Sequence, residues 1–396
     1  MPMHEANRMM RLPPYLFTIV DGIKREVRAK GVDVIDFSMG NPDFDPPSHV
    51  ITAARQALRM KGVHRYSKWD EEIECNLRRA IARWYYTKFG VELDPDKEVV
   101  PLIGSKEGIA HLALAFLNND DLALIPSPAY PVHFNGVIMA GGILYNIPLS
   151  EDRGYLPDLM SIPRETTRLS KMMMLSYPHN PTTATCDLDF FNRVIHWGHD
   201  KNIIVVHDLA YSDIVFGSKR AHSILEVKGA RKFCVEFHTL SKSYSMPGWR
   251  MGFAVGNRDI LSSLVKTKSY VDFGLFRGVQ QAAIAALTGP QTYVKRIVGL
   301  YKQRIDYFVD GLNRIGWPAK KPQATFYIWS RLPAQYCAFT SMEFTELLLR
   351  ETGVAVAPGT GFGEQGEGFV RFAMVVPEVR MKVALGRIQE FLKRKV

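Results

Sequence analysis

Cysteine is scarce in this sequence. Cys75, Cys186, Cys234 and Cys337 are spread over 396 positions, and no two of them form a CxxC pair. This spacing argues against a zinc site and against a disulfide framework, and it fits the reducing cytoplasm. Long apolar runs are also missing, since none approaches the roughly 20 residues of a membrane helix. The N-terminal stretch lacks the apolar segment of a secretory signal, so we expect neither secretion nor a membrane partner.

Acidic residues are fewer than basic ones. The chain has 40 Asp and Glu against 50 Lys and Arg, which gives a net charge of +10. The basic residues are scattered rather than clustered, so we expect no nucleic-acid partner, whereas an anionic substrate or cofactor would benefit from this field. The composition is 46% hydrophobic and 23% charged, which is typical of a globular protein with a large core.

Apolar runs alternate with amphipathic stretches between residues 98 and 255. The strand-like runs are Glu98–Ile103, Leu122–Ile125, Lys171–Leu175, Ile203–His207, Phe233–Thr239 and Met251–Val255. The helix-like stretches among them are Lys106–Leu117, Tyr130–Met139 and Leu188–His199. Several strands are apolar throughout, which is expected when helices cover both faces of a parallel sheet. The pattern predicts an α/β protein.

A different pattern begins near residue 290. It predicts a helix over Val294–Ile315, a strand over Thr325–Ser330, a helix over Met342–Glu351, strands over Val354–Ala357 and Phe369–Val376, and a final helix from Glu378. The segment up to Phe44 shows no strand–helix alternation. We therefore predict a large domain of residues 45–290 and a smaller α+β domain formed by residues 1–44 and 291–396.

The stretch from Thr239 to Arg250 is the most informative for chemistry. Lys242 follows an apolar strand, lies among hydroxyl side chains and precedes Arg250 by eight residues. A lysine at a strand end can be desolvated enough to lose its proton and act as a Schiff-base nucleophile. Hydroxyl groups and a guanidinium suit a phosphate. A polar connector between two strands explains the same residues, and the spacing alone does not decide between these interpretations.

Three further positions also bear on the chemistry, and the first two of them allow two interpretations each. Gly104-Ser105-Lys106 ends a strand and opens a helix, which favours a phosphate site but also describes an ordinary turn. Asp208 ends an apolar strand, where a carboxylate is costly without a cationic partner, although Asp is also a good helix N-cap. Arg371 lies between apolar residues in a predicted strand, which calls for an anion.

Taken together, these motifs resemble the class I and II aminotransferases, which are pyridoxal 5'-phosphate (PLP) enzymes of fold type I. Besides the Lys242 motif, the resemblance rests on five stretches in order along the chain: Arg11–Tyr15, Asp36–Asp43, Ile103–Gly108, His207–Asp213 and Pro358–Gly363. The chain is most similar to bacterial alanine aminotransferases and LL-diaminopimelate aminotransferase-like proteins. The resemblance implies a large PLP-binding domain with a mostly parallel sheet between helices, a smaller domain, and a cytoplasmic homodimer.

The resemblance also implies the roles of individual residues. Lys242 corresponds to the lysine that binds PLP covalently, and Asp208 to the acid that faces the pyridine nitrogen. Tyr211 and Asn180 correspond to the residues that hydrogen-bond the phenolic oxygen, and Tyr130 to the aromatic residue stacked on the ring. The implied phosphate-binding residues are Gly104, Ser105, Lys106, Thr239, Ser241 and Arg250.

The remaining implied residues concern the substrate and a second subunit. Arg371 corresponds to the arginine that binds the substrate α-carboxylate, with Gly40, Asn180 and Tyr15 also expected at the substrate. Tyr66 corresponds to the tyrosine that reaches the phosphate of the cofactor in the neighbouring subunit. The active site would then be shared across a dimer interface.

Two stretches depart from the family pattern. Lys68–Asn76 is acidic, lacks the usual glycine and is about two residues longer than its counterpart, in what we expect to be a loop near the substrate entrance. Phe276-Arg277-Gly278 stands where near relatives have a Thr-Pro, which puts Arg277 at an unusual position. It is expected either to contact a phosphate or a distal carboxylate, or to be a surface residue.

The resulting hypothesis is a ping-pong transamination. An L-amino acid, with alanine favoured, donates its amino group, and a 2-oxo acid such as 2-oxoglutarate or pyruvate accepts it. The alternatives are LL-diaminopimelate or aspartate as the donor, or another PLP reaction such as a lyase or decarboxylase. A PLP-binding transcription regulator is not expected, because the matches begin near residue 11, and Lys242, Asp208 and Arg371 argue against an inactive paralogue.

Overall fold

The computed structural model describes residues 4–199 and 201–394. Its helices are α1 Asn7–Met10, α2 Leu16–Ala29, α3 Ser48–Ala57, α4 Glu72–Phe89, α5 Ser105–Phe116, α6 Pro131–Met139, α7 Arg164–Leu169, α8 Leu188–His199, α9 Leu240–Ser243, α10 Arg258–Val271, α11 Arg277–Thr288, α12 Thr292–Arg314, α13 Ser341–Thr352 and α14 Glu378–Lys393. Its strands are β1 Ile35–Asp36, β2 Val99–Leu102, β3 Leu122–Ser127, β4 Ile143–Pro148, β5 Ser170–Leu175, β6 Ile204–Asp208, β7 Cys234–Thr239, β8 Gly252–Gly256, β9 Tyr327–Arg331, β10 Val354–Ala355, β11 Ala357–Pro358 and β12 Phe369–Ala373.

A seven-stranded sheet forms the centre of the large unit, in the order β2-β8-β7-β6-β5-β3-β4. The strands from β4 through β7 in this order are parallel, whereas β8 runs antiparallel to both of its neighbours. The prediction of a mostly parallel sheet in an α/β protein is therefore confirmed. Because β2, β3, β5, β6 and β7 point the same way, the residues that follow them meet at one edge of the sheet.

Helices cover both faces of this sheet, which explains its apolar strands. On one face, α5, α6 and α10 pack on side chains such as Met172, Val206 and Phe237. On the other face, α4, α8 and α11 pack on the alternating side chains, for example Met173 and Val205. Successive residues of β5 and β6 are thus buried in two different cores, one on each side of the sheet.

A smaller α+β unit follows in the chain. It contains the antiparallel sheet β11-β12-β9 and the helices α12, α13 and α14. Ile35 and Asp36 of β1 pair with Val354 and Ala355 of β10, so the N-terminal segment lies within this unit. Helix α12 contributes to the cores of both units. The proposed division into residues 45–290, and 1–44 with 291–396, stays a prediction.

Most predicted elements lie within two residues of the observed ones, and the exceptions have local causes. The expected strand Val354–Ala357 is two strands, because β10 pairs with β1 whereas β11 pairs with β12. The strand expected over Phe369–Val376 ends at Ala373, opposite the start of β9. The expected loop Lys68–Asn76 is wrong in its second half, since α4 begins at Glu72. Acidic residues in that first turn are favourable at a helix N-terminus.

Within residues 4–199 and 201–394, every helix is too short or too polar to cross a membrane.

Candidate active site

A cavity lies where the carboxyl ends of the central strands face the smaller unit. Predicted site residues that line it are Tyr15, Gly40, Ser105, Lys106, Tyr130, Asn180, Asp208, Tyr211, Thr239, Ser241, Lys242, Arg250 and Arg371. Phe17, Met39, Ser176, Ala210, Pro247 and Tyr327 line it as well. Of the predicted residues, only Gly104 and Tyr66 are outside this lining. The cavity therefore combines cationic, hydroxyl and aromatic groups from segments that are far apart in the chain.

Lys242 is carried by α9, a single helical turn that follows β7 directly. Its Nζ donates a hydrogen bond of 2.7 Å to the carbonyl oxygen of Gly40. Desolvation, together with the positive charges of Arg371 and Arg250, lowers the pKa of Lys242 to about 8, although Asp208 acts in the opposite direction. A substantial fraction of the amine is therefore neutral near physiological pH, which makes it available as a nucleophile and base.

Asp208 is the last residue of β6 and is buried. Its Oδ2 lies 3.0 Å from Nε2 of His133 on α6. Its Oδ1 is also buried and has no hydrogen-bond partner among the described residues. A buried carboxylate oxygen without a partner is costly, so this atom calls for a cationic or N–H donor inside the cavity.

One end of the cavity is built to receive an anion. Gly104, with φ +80°, precedes α5, and no described side chain caps this helix N-terminus. A Cβ atom at Gly104 would lie 2.5 Å from Nη2 of Arg250, so glycine allows the guanidinium to approach the backbone closely. The hydroxyls of Thr239 and Ser241 are 2.9 Å apart nearby. Uncapped N–H groups, hydroxyls and a guanidinium together match a phosphate group.

Lys106 lies on the aromatic side of this anion site. Its Nζ is 5.5 Å from the ring centroid of Tyr15 and 5.9 Å from that of Tyr130. Burial and the charge of Arg250 lower the pKa of Lys106. Burial raises the pKa of Tyr130 far above its ordinary value, so this side chain is a neutral aromatic surface of the cavity.

The opposite end of the cavity is formed around Arg371 of β12. Its Nη1 donates to Oδ1 of Asn180 at 2.7 Å, and its Nη2 donates to the carbonyl oxygen of Ser38 at 2.9 Å. The ring of Tyr327 stacks against the guanidinium with 4.1 Å between the centroid and Cζ. The Nε atom is buried without a described partner. A fixed, partly unsatisfied guanidinium of this kind suits a carboxylate ligand.

Tyr211 and Tyr327 share a hydrogen bond of 2.8 Å between their hydroxyl groups. Burial and the neighbouring Tyr327 raise the pKa of Tyr211 well above its ordinary value, so the hydroxyl of Tyr211 is neutral. Tyr327 also explains a glycine of the N-terminal segment: a Cβ atom at Gly40 would lie 2.0 Å from the Tyr327 hydroxyl. The aromatic ring and the N-terminal backbone therefore pack directly against each other.

Among the residues that sequence reasoning missed, His133 and Tyr327 form hydrogen bonds with predicted site residues, Asp208 and Tyr211. Their contacts join positions 75 and 116 residues apart, and no local pattern marks either one. For His133, the one available signal was its position three residues after Tyr130, on the buried side of α6.

Tyr66 and Arg277 lie outside the cavity and close to each other. Tyr66 is 78% exposed and packs edge-on against Phe273 at 5.3 Å between the ring centroids. One of the two expectations for Arg277 was a surface residue. This expectation is wrong, because only 12% of the Arg277 side chain is exposed. It forms an ion pair with Glu71 and donates to the carbonyl oxygens of Gly62, at 2.7 Å, and Tyr66. The contacts fasten the segment that carries Tyr66.

Known proteins resemble this chain over nearly its full length. The family described as aminotransferase class I and II matches residues 32–388. An LL-diaminopimelate aminotransferase of Syntrophobacter fumaroxidans is 46% identical, with 98% of each chain covered. The glutamate-pyruvate aminotransferase AlaC of Escherichia coli is 44% identical, with 99% of this chain and 95% of AlaC covered. Among solved structures, substrate-bound BacF from Bacillus subtilis superimposes with a TM-score of 0.94 at 35% identity, covering 98% of both chains.

Proposed function

This chain belongs to the class I and II aminotransferases, which are PLP-dependent enzymes, and we propose that its amino donor is alanine. The acceptor would be a 2-oxo acid such as 2-oxoglutarate or pyruvate. The observation that carries the aminotransferase chemistry is the arrangement of one cavity, which brings together the amine of Lys242, an unpartnered carboxylate oxygen of Asp208 and the guanidinium of Arg371 with its unpartnered Nε.

The residues of the cavity fit PLP at three points. The anion site at the N-terminus of α5, with Arg250, would hold the phosphate. Oδ1 of Asp208 would accept a hydrogen bond from the protonated ring nitrogen, and Lys242 supplies the amine for the covalent link. When bound, PLP supplies a ring that draws electrons from the substrate Cα.

The side chains of the cavity have separate roles toward the substrate. Arg371 binds the α-carboxylate, while its hydrogen bonds to Asn180 and Ser38 hold the guanidinium plane in place. Lys242 accepts the proton from the substrate Cα at Nζ as a general base and then passes it on from Nζ as a general acid, for which a pKa near 8 is well matched to neutral conditions. The hydroxyl of Tyr211, which lines the cavity beside Tyr327, is neutral and would donate a hydrogen bond to a group bound there.

The choice of alanine rests on the groups that face the substrate side chain. Phe17, Met39 and Tyr15 are apolar or aromatic, and Asp208 is the one carboxylate among the described lining residues. A small apolar side chain fits these surroundings, whereas the distal ammonium of diaminopimelate would find no carboxylate besides Asp208 among the described lining residues. The LL-diaminopimelate aminotransferases among the relatives favour that substrate as the second candidate.

We also propose that the enzyme is a cytoplasmic homodimer. Exposed apolar side chains, including Leu58, Met60, Tyr66, Tyr270 and Phe273, lie on two neighbouring segments, and clustered apolar surface of this kind is typical of an interface. The four cysteines are free, which fits a reducing compartment. In such a dimer, Tyr66 would reach the active site of the other subunit.

The test is product analysis with the PLP-loaded protein. Alanine with 2-oxoglutarate should give pyruvate and glutamate, with initial velocities that show parallel lines in double-reciprocal plots as a ping-pong reaction requires. Aspartate, methionine and LL-diaminopimelate are compared as donors, with both 2-oxoglutarate and pyruvate as acceptors. A clear preference for LL-diaminopimelate would refute the alanine assignment and leave the aminotransferase in place.

Two variants test the catalytic groups. Lys242→Ala should abolish turnover and the visible absorbance of bound PLP, because the covalent link requires the amine. Asp208→Asn should keep PLP bound while lowering kcat by roughly 100-fold or more, because an amide does not stabilise a protonated ring nitrogen. Full activity of Lys242→Ala would overturn the mechanism.

A further inference from the structure

A partly buried ion pair lies next to the residue that follows the catalytic lysine, and neither partner lines the cavity. Lys88 of α4 pairs with Asp213, which lies in the loop after β6. The two side chains are 20% and 18% exposed. The same carboxylate accepts a hydrogen bond of 2.5 Å from the hydroxyl of Ser243 to its Oδ2. Lys88, Asp213 and Ser243 are called the Asp213 bridge below.

The Asp213 bridge connects two segments that carry active-site groups. Ser243 directly follows Lys242 in α9, and Asp213 is two residues beyond Tyr211. The helix α9 has only four residues, which is too short to be stable without outside contacts. One carboxylate thus links the backbone that carries the amine of Lys242 to the backbone that carries the hydroxyl of Tyr211.

Ser212 provides an internal comparison for this link. Its hydroxyl accepts a hydrogen bond from Lys88 at 3.0 Å and donates to Oδ2 of Asp213 at 3.3 Å. It therefore belongs to the same polar cluster, but it lies on the same segment as Asp213 and connects nothing to α9. Of the two serines, only Ser243 links this cluster to the lysine-bearing helix.

The bridge acts on Lys242 through geometry rather than through its charge. Burial opposes ionisation of Asp213, but Lys88, Ser243 and Ser212 together lower the pKa of Asp213 below its ordinary value. Burial also lowers the pKa of Lys88, although Asp213 acts in the opposite direction. Lys88 and Asp213 together carry no net charge. The pKa of Lys242 is set by desolvation and by Arg371, Arg250 and Asp208. A neutral pair outside this set can influence the amine by fixing where α9 lies.

We propose that Asp213 is a positioning residue that fixes the position of α9, and with it Nζ of Lys242, relative to Tyr211. Ser243 forms the link to α9, and Lys88 is the counter-ion of Asp213. The inference rests on the proposed function of Lys242. It concerns a part of the molecule that touches neither the substrate nor the cofactor.

The experiment compares Ser243→Ala with Ser212→Ala, which removes a hydroxyl from the same carboxylate without cutting the link. Ser243→Ala should lower kcat by about tenfold or more, because a displaced catalytic group is costly, while KM for the donor changes little since Arg371 is untouched. Ser212→Ala should stay within about twofold of the parent for both constants. Thermal melting of each variant checks that it is folded.

A second readout needs neither PLP nor turnover. In cofactor-free protein, the pH dependence of reductive methylation at Lys242 is followed by peptide mass spectrometry. The parent and Ser212→Ala should show the low midpoint of a desolvated amine. In Ser243→Ala the midpoint should shift upward toward that of ordinary lysines, since a loosened α9 lets the amine reach water.

Replacing Asp213 alone would leave Lys88 without its counter-ion and could unfold the protein, so Asp213 is replaced together with Lys88. Asp213→Asn with Lys88→Met removes both charges but keeps an oxygen that accepts the Ser243 hydroxyl, so it should retain more activity than Ser243→Ala. Asp213→Ala with Lys88→Met should behave like Ser243→Ala.

The proposal is overturned if Ser243→Ala keeps both the parent kcat and the parent methylation midpoint, or if Ser212→Ala loses as much as Ser243→Ala. Failure of the proposed function gives a different result. In that case the parent protein has no aminotransferase activity with any donor, while the methylation midpoint of Lys242 still shifts in Ser243→Ala alone.

Discussion

Arg371 and Asn180 lie 191 residues apart in the chain, and Nη1 of the arginine donates a hydrogen bond of 2.7 Å to Oδ1 of the asparagine. Asn180 belongs to the segment after β5, whereas Arg371 lies in β12 of the smaller unit. The bond therefore joins the two units across the cavity. Because Asn180 and Ser38 each occupy one terminal nitrogen, the guanidinium plane is set before any substrate arrives.

A first prediction concerns this preset geometry. Arg371→Lys keeps the positive charge but removes the planar fork, so kcat/KM for the amino donor should fall by roughly 100-fold, mainly through KM. PLP affinity, measured by absorbance titration, should be nearly unchanged. Arg331→Lys is the matched control, because Arg331 is 68% exposed on the neighbouring strand β9 and should give parent kinetics. Equal effects of the two substitutions would contradict a role for Arg371 in carboxylate binding.

A second prediction follows from the pKa of Lys242, which is lowered to about 8. The amine is protonated below this pH and neutral above it, so its reactivity in cofactor-free protein should rise between pH 7 and 9 and level off above. Exposed lysines ordinarily titrate near pH 10.4 and should still gain reactivity over that higher range. The measurement is competitive labelling with an acylating reagent, quantified for each lysine-containing peptide.

The same measurement tests the cause of the shift. Arg371 contributes one of the positive charges that disfavour the protonated amine, so Arg371→Gln should move the Lys242 midpoint upward. Arg331→Gln should leave it in place. A Lys242 midpoint equal to that of the surface lysines in the parent protein would show that the amine is not desolvated.

The sequence was informative where a residue conflicts with its local surroundings. Asp208 ends an apolar strand and Arg371 interrupts another, so each is conspicuous without knowledge of any contact. The parallel strands β5 and β6 were equally evident, because most of their residues are buried on both faces and their central side chains are apolar. Most of the residues that were selected from these signals and from the resemblance line one cavity in the structure.

The sequence did not reveal a site residue when its important contact is with a residue far away in the chain and its own segment has no unusual feature. His133 is one of several residues on a helix, and only its 3.0 Å contact with Asp208 gives it importance. Tyr327 begins an unremarkable strand, yet its ring supports Arg371 and its hydroxyl excludes a side chain at position 40. The environment of Arg277 depends on how α11 approaches residues 62–71, which no local pattern specifies.

A third prediction concerns the ion pair between Arg277 and Glu71. Arg277→Ala should loosen residues 62–71, because it removes the hydrogen bonds to the carbonyl oxygens of Gly62 and Tyr66 as well as the ion pair. Hydrogen exchange in this segment should become faster while the central sheet is unaffected. A double-mutant cycle with Glu71→Gln should give a coupling energy of about 1 kcal/mol.

The chain offers a control for that cycle. Arg168 and Glu165 also form an ion pair, but their side chains are 69% and 68% exposed. Exposed pairs contribute little to stability, so the coupling energy for this pair should be close to zero. Similar values for both cycles would mean that the Arg277 pair does not restrain the segment.

The last prediction separates a shared active site from a self-contained one. Tyr66 is exposed and lies outside the cavity of its own subunit, so we expect Tyr66→Phe to weaken PLP binding by removing a hydroxyl that serves another subunit. Subunits with Lys242→Ala are mixed with subunits with Tyr66→Phe, refolded together, and the hybrid is isolated by differential tags. In a shared arrangement, one site of the hybrid combines an intact Lys242 with an intact Tyr66 from the other chain, and that site should bind PLP with parent affinity. If each subunit used its own Tyr66, every site with an intact lysine would carry the phenylalanine, and the hybrid would bind PLP as weakly as the Tyr66→Phe homodimer.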